Sequence, residues 1–135
     1  MPDNNIMESA NDIELEVEVT NILRKANVPA NIKGFYYLRT AIMLSVKNVE
    51  MVNSITKLLY PTVAEHYQAK PPQVERAIRR AIEIAWSRDA RDILLNTISF
   101  DIGVNKPKPS NSEFIAAIAD YIRLQSKVKR WEHNV

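Results

Sequence analysis

The scarcity of glycine is the feature that most constrains this fold. Only two glycines, Gly34 and Gly103, occur in 135 residues. Hairpins and tight β-turns usually need more glycine than this, so the chain favours helices over strands. Apolar residues make up 46% of the sequence, which is enough to build the core of one domain. We therefore predict an all-α protein of about six helices.

Several protein classes are disfavoured by what the sequence lacks. Without cysteine there is no disulfide framework, thiol nucleophile or thiolate metal site, and this fits a reducing, cytoplasmic location. The apolar runs are too short to span a membrane, and residues 1–30 lack the order of a signal peptide. We expect a cytoplasmic protein with no membrane partner.

Charge is distributed unevenly along the chain. Residues 1–18 contain six acidic residues and no lysine or arginine. Residues 19–135 hold all 18 basic residues and the other 10 acidic ones, an excess of eight positive charges. We predict a disordered acidic lead over residues 1–16, a helical domain over 17–126 and a basic tail over 127–135. The domain is either a polyanion-binding unit or simply a soluble basic one.

The spacing of apolar residues predicts the individual helices. In the first, Ile13 and Val17 are expected to face the core, followed on that side by either Leu23 or the pair Val19 and Ile22. Asn48 suits the N-cap of the third, and Ser110 with Glu113 has capping-box spacing before the last. The predicted helices cover residues 12–25, 32–46, a segment from 48, 61–67, 72–88 and 112–128, with 89–99 either extending the fifth or forming another.

A short helix, a tight turn and a longer helix follow one another at residues 61–88. Ala64 provides a small side chain where the two helices would cross. Val74, Ile78 and Ile82 recur at helical spacing and would anchor the longer helix to the core. This pattern predicts a helix-turn-helix motif, which places its second helix in the DNA major groove.

The polar face of the longer helix offers three candidates for contacts with bases. Arg76 can donate two hydrogen bonds to guanine, and Glu75 can accept one from cytosine. Gln73 shares a line with Arg76, and glutamine prefers adenine edges. These three side chains are the predicted base-contacting residues.

Other basic residues on this helix suit the DNA backbone. Lys70, Arg79 and Arg80 would meet phosphates, which position a helix but do not specify sequence. The alternative is a solvated face whose charges pair within the helix, as Glu75 with Arg79, and Glu83 with either Arg76 or Arg79.

The remaining candidate residues point to no catalytic or metal site. His66 and His133 lack metal-ligand spacing, and His66 is expected to be exposed. Trp86 is expected to be in the core, and Trp131 to lie in a loosely packed basic end. No nucleophile, ligand set or phosphate-binding loop accompanies the acidic residues. We expect no enzyme activity, metal or cofactor.

Four stretches, in this order and spacing, carry a family resemblance. Over residues 17–124 the chain resembles the C-terminal effector domain of the sporulation master response regulator of endospore-forming bacteria, the stage zero sporulation protein A family. The stretches are VTNILRKANVPANIKGFYYLRTAI from residue 19, ITKLLYPTVAEHY from 55, VERAIRRAIEIAWSR from 74 and KPSNSEFIAAIADYIRL from 108.

The resemblance implies a six-helix domain that binds a GTCGAA-like box in promoter DNA. It implies activation or repression of transcription and contact with an RNA polymerase sigma factor. On matching positions, Glu75 and Arg76 become base readers and Arg79 a backbone contact. Residues 89–100 become the polymerase-facing surface, and neighbouring copies on DNA would meet through the last helix, with Phe114, Ala117 and Tyr121 as candidates.

The chain departs from the family pattern at several positions. Pro71, Pro72 and Gln73 stand where small or hydroxyl residues and an arginine are typical. Arg80 replaces a common histidine, and Asp89 a common glycine. The family's phosphoacceptor domain is not among these 135 residues, which leaves an excised effector domain and a stand-alone paralogue as alternatives. A second function also stays open: an interaction module that docks on a related regulator or on polymerase, without strong specific DNA binding.

Overall fold

The computed structural model describes residues 10–87 and 108–134, and this part of the chain is helical without strands. It confirms the predicted all-α fold. A π-helical turn, Ile55–Leu59, leads directly into the fourth α-helix. The α-helices are α1 Ala10–Lys25, α2 Lys33–Lys47, α3 Glu50–Asn53, α4 Tyr60–Tyr67, α5 Pro71–Ser87 and α6 Asn111–Asn134.

Helix α2 lies at the centre of the domain and packs against α1, α4, α5 and α6. Its inward residues Phe35, Leu38, Ala41 and Ile42 are at most 2% exposed. The domain core therefore forms around α2, and the other helices are placed by their contacts with it.

The closest approach between α2 and α5 occurs at Gly34. A Cβ atom at this position would lie 2.3 Å from the carbonyl oxygen of Ala77 and 2.9 Å from the Cβ of Ala81. Both distances are shorter than carbon contacts allow, so any larger residue would force the helices apart. Glycine is required here because the backbone of α2 touches the backbone of α5.

The predicted tight turn between α4 and α5 is confirmed. Gln68 adopts the left-handed conformation with φ of 56°. Its N–H donates to the carbonyl of Glu65 at 3.3 Å, and the N–H of Ala69 donates to that of Ala64 at 2.8 Å. This is a Schellman ending, in which a left-handed residue satisfies the last carbonyls of the helix. It lets α5 begin at Pro71, with only three residues between the two helices.

Helix α6 begins with the predicted capping box. The N–H of Ser110 donates to Oε1 of Glu113 at 2.9 Å, and the N–H of Glu113 donates to Oγ of Ser110 at 3.2 Å. The helix then runs without interruption to Asn134. The part of the basic tail that the structure describes is therefore helical, and Trp131 lies on a helix rather than in a loose end.

The predictions for α1 need correction. Ile13 and Val17 were expected to face the core, but each is 54% exposed. The expected inward residues of its second half are confirmed: Val19, Ile22 and Leu23 are all buried. Apolar residues lie on two faces of α1, and only the face that meets α2 is covered. The helix also begins at Ala10, so residues 10–16 are helical rather than part of a disordered lead.

The segment after α2 is less regular than the single helix predicted from Asn48. Oδ1 of Asn48 does accept the N–H of Glu50 at 3.0 Å, as expected at a helix start. Regular α-helix, however, ends at Asn53, and the π-helical turn follows. The predictions for residues 88–107, including the segment 89–99 and the surface 89–100, lie outside the described residues.

Replacing Gly34 with alanine should destabilise the protein. The added methyl group clashes with the backbone of α5, and overpacking of this kind costs about 2 kcal/mol. Alanine's better helix propensity offsets this by at most about 1 kcal/mol. Urea unfolding followed by tryptophan fluorescence would measure the loss. The exposed neighbour gives the control Lys33→Ala, and equal stability of the two variants would contradict the close helix contact.

Candidate nucleic-acid interface

Helix α5 is anchored by one buried stripe, as predicted. Val74, Ile78 and Ile82 are at most 1% exposed, and Ala81 is fully buried. Ala64 of α4 is 2% exposed and packs in the same core, which agrees with its predicted place at the helix crossing. The polar face of α5 therefore points away from the core in a fixed orientation.

Gln73 caps the N-terminus of α5. Its Oε1 accepts the backbone N–H of Lys70 at 2.9 Å. Pro71 and Pro72 fill the first two helical positions, where a missing N–H costs nothing. The sequence analysis missed this role, although glutamine at the third helical position is half of a capping box. Because the oxygen already accepts one hydrogen bond, the amide N–H groups are the part of the side chain that is fully available to a ligand.

The ion pair between Glu75 and Arg79 is present. One carboxylate oxygen of Glu75 lies 2.5 Å from a guanidinium nitrogen of Arg79. This agrees with the intrahelical pairing considered as an alternative. Glu83 contacts Lys108 at 3.3 Å instead of Arg79. Arg79 is therefore half-exposed and partly neutralised, and Glu75 is held in one orientation along the helix.

Arg76 and Arg80 remain available on the outer face of α5. Both side chains are exposed. Neither forms a salt bridge with any residue in the segments 10–87 and 108–134. Lys70, at the start of the same helix, is exposed as well. These groups form a line of positive charge that begins at the helix N-terminus.

A buried asparagine joins this helix to α6. Asn111 is 8% exposed, and its Nδ2 donates to the hydroxyl of Tyr60 at 2.9 Å and to the carbonyl of Glu75 at 3.1 Å. Burial raises the pKa of Tyr60 above its ordinary value, so the phenol stays protonated at neutral pH. The sequence analysis did not single out Asn111, although it lies in the KPSNSEFIA stretch. This one amide holds three helices together beside the polar face.

Tyr67 fixes the other helix of the motif. Its hydroxyl lies 2.7 Å from Oγ1 of Thr40 and donates to the carbonyl of Tyr36 at 3.3 Å. Burial raises the pKa of Tyr67, so it too remains neutral. It is half-buried, and His66 beside it is exposed as predicted.

The candidates for contact between copies divide into two groups. Phe114 is fully buried, so its assignment to a contact surface is wrong: it lies on the stripe that packs against the core. Ala117 and Tyr121 are partly exposed at the edge of that stripe. Trp86 is partly buried against the core, as predicted. Trp131 is 67% exposed.

The arrangement of α4 and α5 defines a helix-turn-helix domain of the DNA-binding, transcription-regulating class. Residues 19–122 match the family described as sporulation initiation factor Spo0A C terminal. The chain belongs to this family, which confirms the resemblance seen in the sequence. It is thus a response-regulator effector domain of the kind that controls sporulation. Among the helices described, none combines the length and apolar character needed to cross a membrane.

Replacing Asn111 with aspartate should destabilise the domain. The carboxylate cannot donate to the carbonyl of Glu75, and an unmet buried acceptor costs about 2 kcal/mol. Burial raises the variant side chain's folded-state pKa, so the loss is largest at neutral pH and is relieved as acid protonates the group. Urea unfolding at several pH values would measure this. The exposed change Asn21→Asp is the control, and a matching loss there would contradict the role of Asn111.

Proposed function

We propose that this protein binds a GTCGAA-like box in promoter DNA with α5 in the major groove. The observation that carries the proposal is the exposed guanidinium of Arg76, which forms no salt bridge with residues 10–87 or 108–134, on a helix whose opposite face is buried. A rigid helix holds such a group at a fixed depth in the groove, where it can form two hydrogen bonds with guanine. Membership of the family supports the same role.

The base-reading residues would be Gln73, Glu75 and Arg76. Arg79 orients Glu75, which leaves carboxylate lone pairs for a cytosine amino group. Gln73 in its capping conformation would present its amide N–H groups to a base acceptor such as guanine O6 or thymine O4. Bidentate reading of adenine needs both a donor and an acceptor from glutamine, and the acceptor oxygen would then be shared with the cap.

The backbone contacts would come from Lys70, Arg79 and Arg80. Lys70 and Arg80 are exposed at successive points along α5, which suits two phosphates of one strand. Arg79 would contribute less charge than the others because Glu75 partly neutralises it. These contacts would set affinity and its dependence on salt rather than sequence preference.

We also propose that the protein acts in the bacterial cytoplasm and contacts other proteins of transcription there. A sigma factor of RNA polymerase would contact residues 89–100, and neighbouring copies on DNA would meet through Ala117 and Tyr121. These two side chains lie on α6, whose N-terminus is tied to α5 by Asn111. Contact between copies would therefore fix the relative position of their recognition helices.

Binding of the protein to labelled duplexes, followed by fluorescence anisotropy, tests the proposal. We expect the GTCGAA duplex to bind at least roughly a hundredfold more tightly than a scrambled duplex. This preference should persist at higher salt, since base contacts release few counterions. Equal and strongly salt-dependent binding to both duplexes would contradict it. That outcome would favour the interaction module that docks on a related regulator or on polymerase.

Replacing Arg76 and replacing Arg79 should have different effects on DNA binding. Arg76→Ala should cost about 1–3 kcal/mol at one base pair and relax preference there. Arg79→Ala should weaken binding to all duplexes alike and lower the salt slope, while Arg79→Lys preserves most of the affinity. Anisotropy titrations against single-base variants of the box would separate the two effects. Equal loss of specificity from both alanine changes would contradict this division.

A further inference from the structure

The distal half of α6 exposes an apolar stripe. Ile122 is the last fully buried residue of this helix, and the family match ends at the same residue. Beyond it, Leu124 is 52% exposed, Val128 48% and Trp131 67%. Large apolar side chains at such exposure on one face of a helix mark a contact surface.

The stripe follows a heptad repeat. Ala117, Tyr121, Leu124, Val128 and Trp131 are separated by alternating steps of four and three residues. This is the a/d pattern of a coiled coil, with Tyr121 and Val128 at a, and Leu124 and Trp131 at d. The same spacing would suit a helix that packs on its own domain, but the last three of these side chains are about half exposed or more and are not covered by the described part of the domain.

The charged residues that flank the stripe are complementary to those of a second copy of this chain. In this register Lys127 occupies a g position and Glu132 the e position of the next heptad. In a parallel pair, residue g of one helix faces the following e residue of the other. Lys127 of each copy would then face Glu132 of the second copy, twice across the pair. The basic residues Lys129 and Arg130 fall at b and c, away from the seam.

The end of α6 has few contacts with the rest of the described domain. Arg123 donates to the carbonyl of Ser45 at 2.6 Å, but residues 127–134 are all exposed. A helical end of this kind is marginal in water unless an apolar face is covered. A second copy would cover it with an identical stripe. Ile13 and Val17 on α1 form another exposed apolar pair, but it is too short to match the repeat.

We propose that residues 117–131 of α6 pair with a second copy of this chain as a parallel two-stranded coiled coil. The pairing needs no DNA. It shares Ala117 and Tyr121 with the proposed contacts between copies on a promoter, and it adds Leu124, Val128 and Trp131 to them. It is also symmetric: a two-fold axis relates the helices, and therefore relates the two α5 helices. The three added residues are strongly exposed and lie beyond the family match.

Analytical ultracentrifugation of the protein without DNA gives the first test. The average mass should rise from monomer towards dimer over a roughly hundredfold range of concentration. Val128→Asp, which puts a charge in the seam, should keep the protein monomeric while circular dichroism shows the domain folded. Ser126→Asp, the same charge on the outer f position, should leave association intact. A monomer throughout, or equal effects of the two variants, would overturn the proposal.

Exchange of charges tests the parallel register. Lys127→Glu and Glu132→Lys should each weaken association by about tenfold, because like charges then face each other. Mixing the two variants should restore it, since each heterodimer contact regains opposite charges. The double variant should also recover. Failure of both to recover would overturn the parallel pairing. Dimer loss with Val17→Asp instead of Val128→Asp would assign the contact to α1.

Discussion

The contact between Gly34 and the backbone of α5 determines where the recognition helix lies. The carbonyl of Ala77 occupies the space that a Cβ on α2 would fill. Because α2 is also the helix that packs against most of the others, this contact places α5 relative to the whole core. The depth to which Arg76 can reach a groove is thus set by a residue that touches no ligand. A functional surface of this kind depends on backbone spacing as much as on its side chains.

Polar contacts then fix the orientation of α5 at its N-terminal half. Gln73 closes the first turn, and Asn111 binds the carbonyl of Glu75 one turn further on. Both contacts satisfy polar groups that need a hydrogen-bond partner in any case. These are a free backbone N–H at the start of a helix and the side-chain amide of a buried asparagine. The polar face is consequently rigid where it is expected to meet bases, and free charges such as Arg80 lie further along. This division suits a helix whose first turns enter the groove and whose later turns meet phosphates.

Much of the architecture could be predicted because it follows from local rules. The helical spacing of apolar residues predicted the buried residues that anchor α5. The capping-box spacing predicted that α6 would begin next to Ser110. The predictions that were wrong, and the contacts that were not predicted, have physical causes as well. Ile13 lies on one of two apolar faces of α1, and periodicity cannot say which face a neighbour covers. The roles of Gly34 and Asn111 depend on contacts between residues more than 30 positions apart, which spacing along one helix does not reveal.

Helix α6 connects the recognition helix α5 to the exposed apolar stripe at its own distal end. Its first residue, Asn111, contacts the recognition helix, and Trp131 lies 20 residues further along the same helix, about 30 Å away at 1.5 Å per residue. Pairing at the distal end would therefore leave α5 uncovered. It would still constrain α5, because a continuous helix transmits the orientation of one end to the other. A symmetric pair held in this way would present two recognition helices in opposed directions, which favours DNA sites whose two boxes are inverted rather than repeated in tandem.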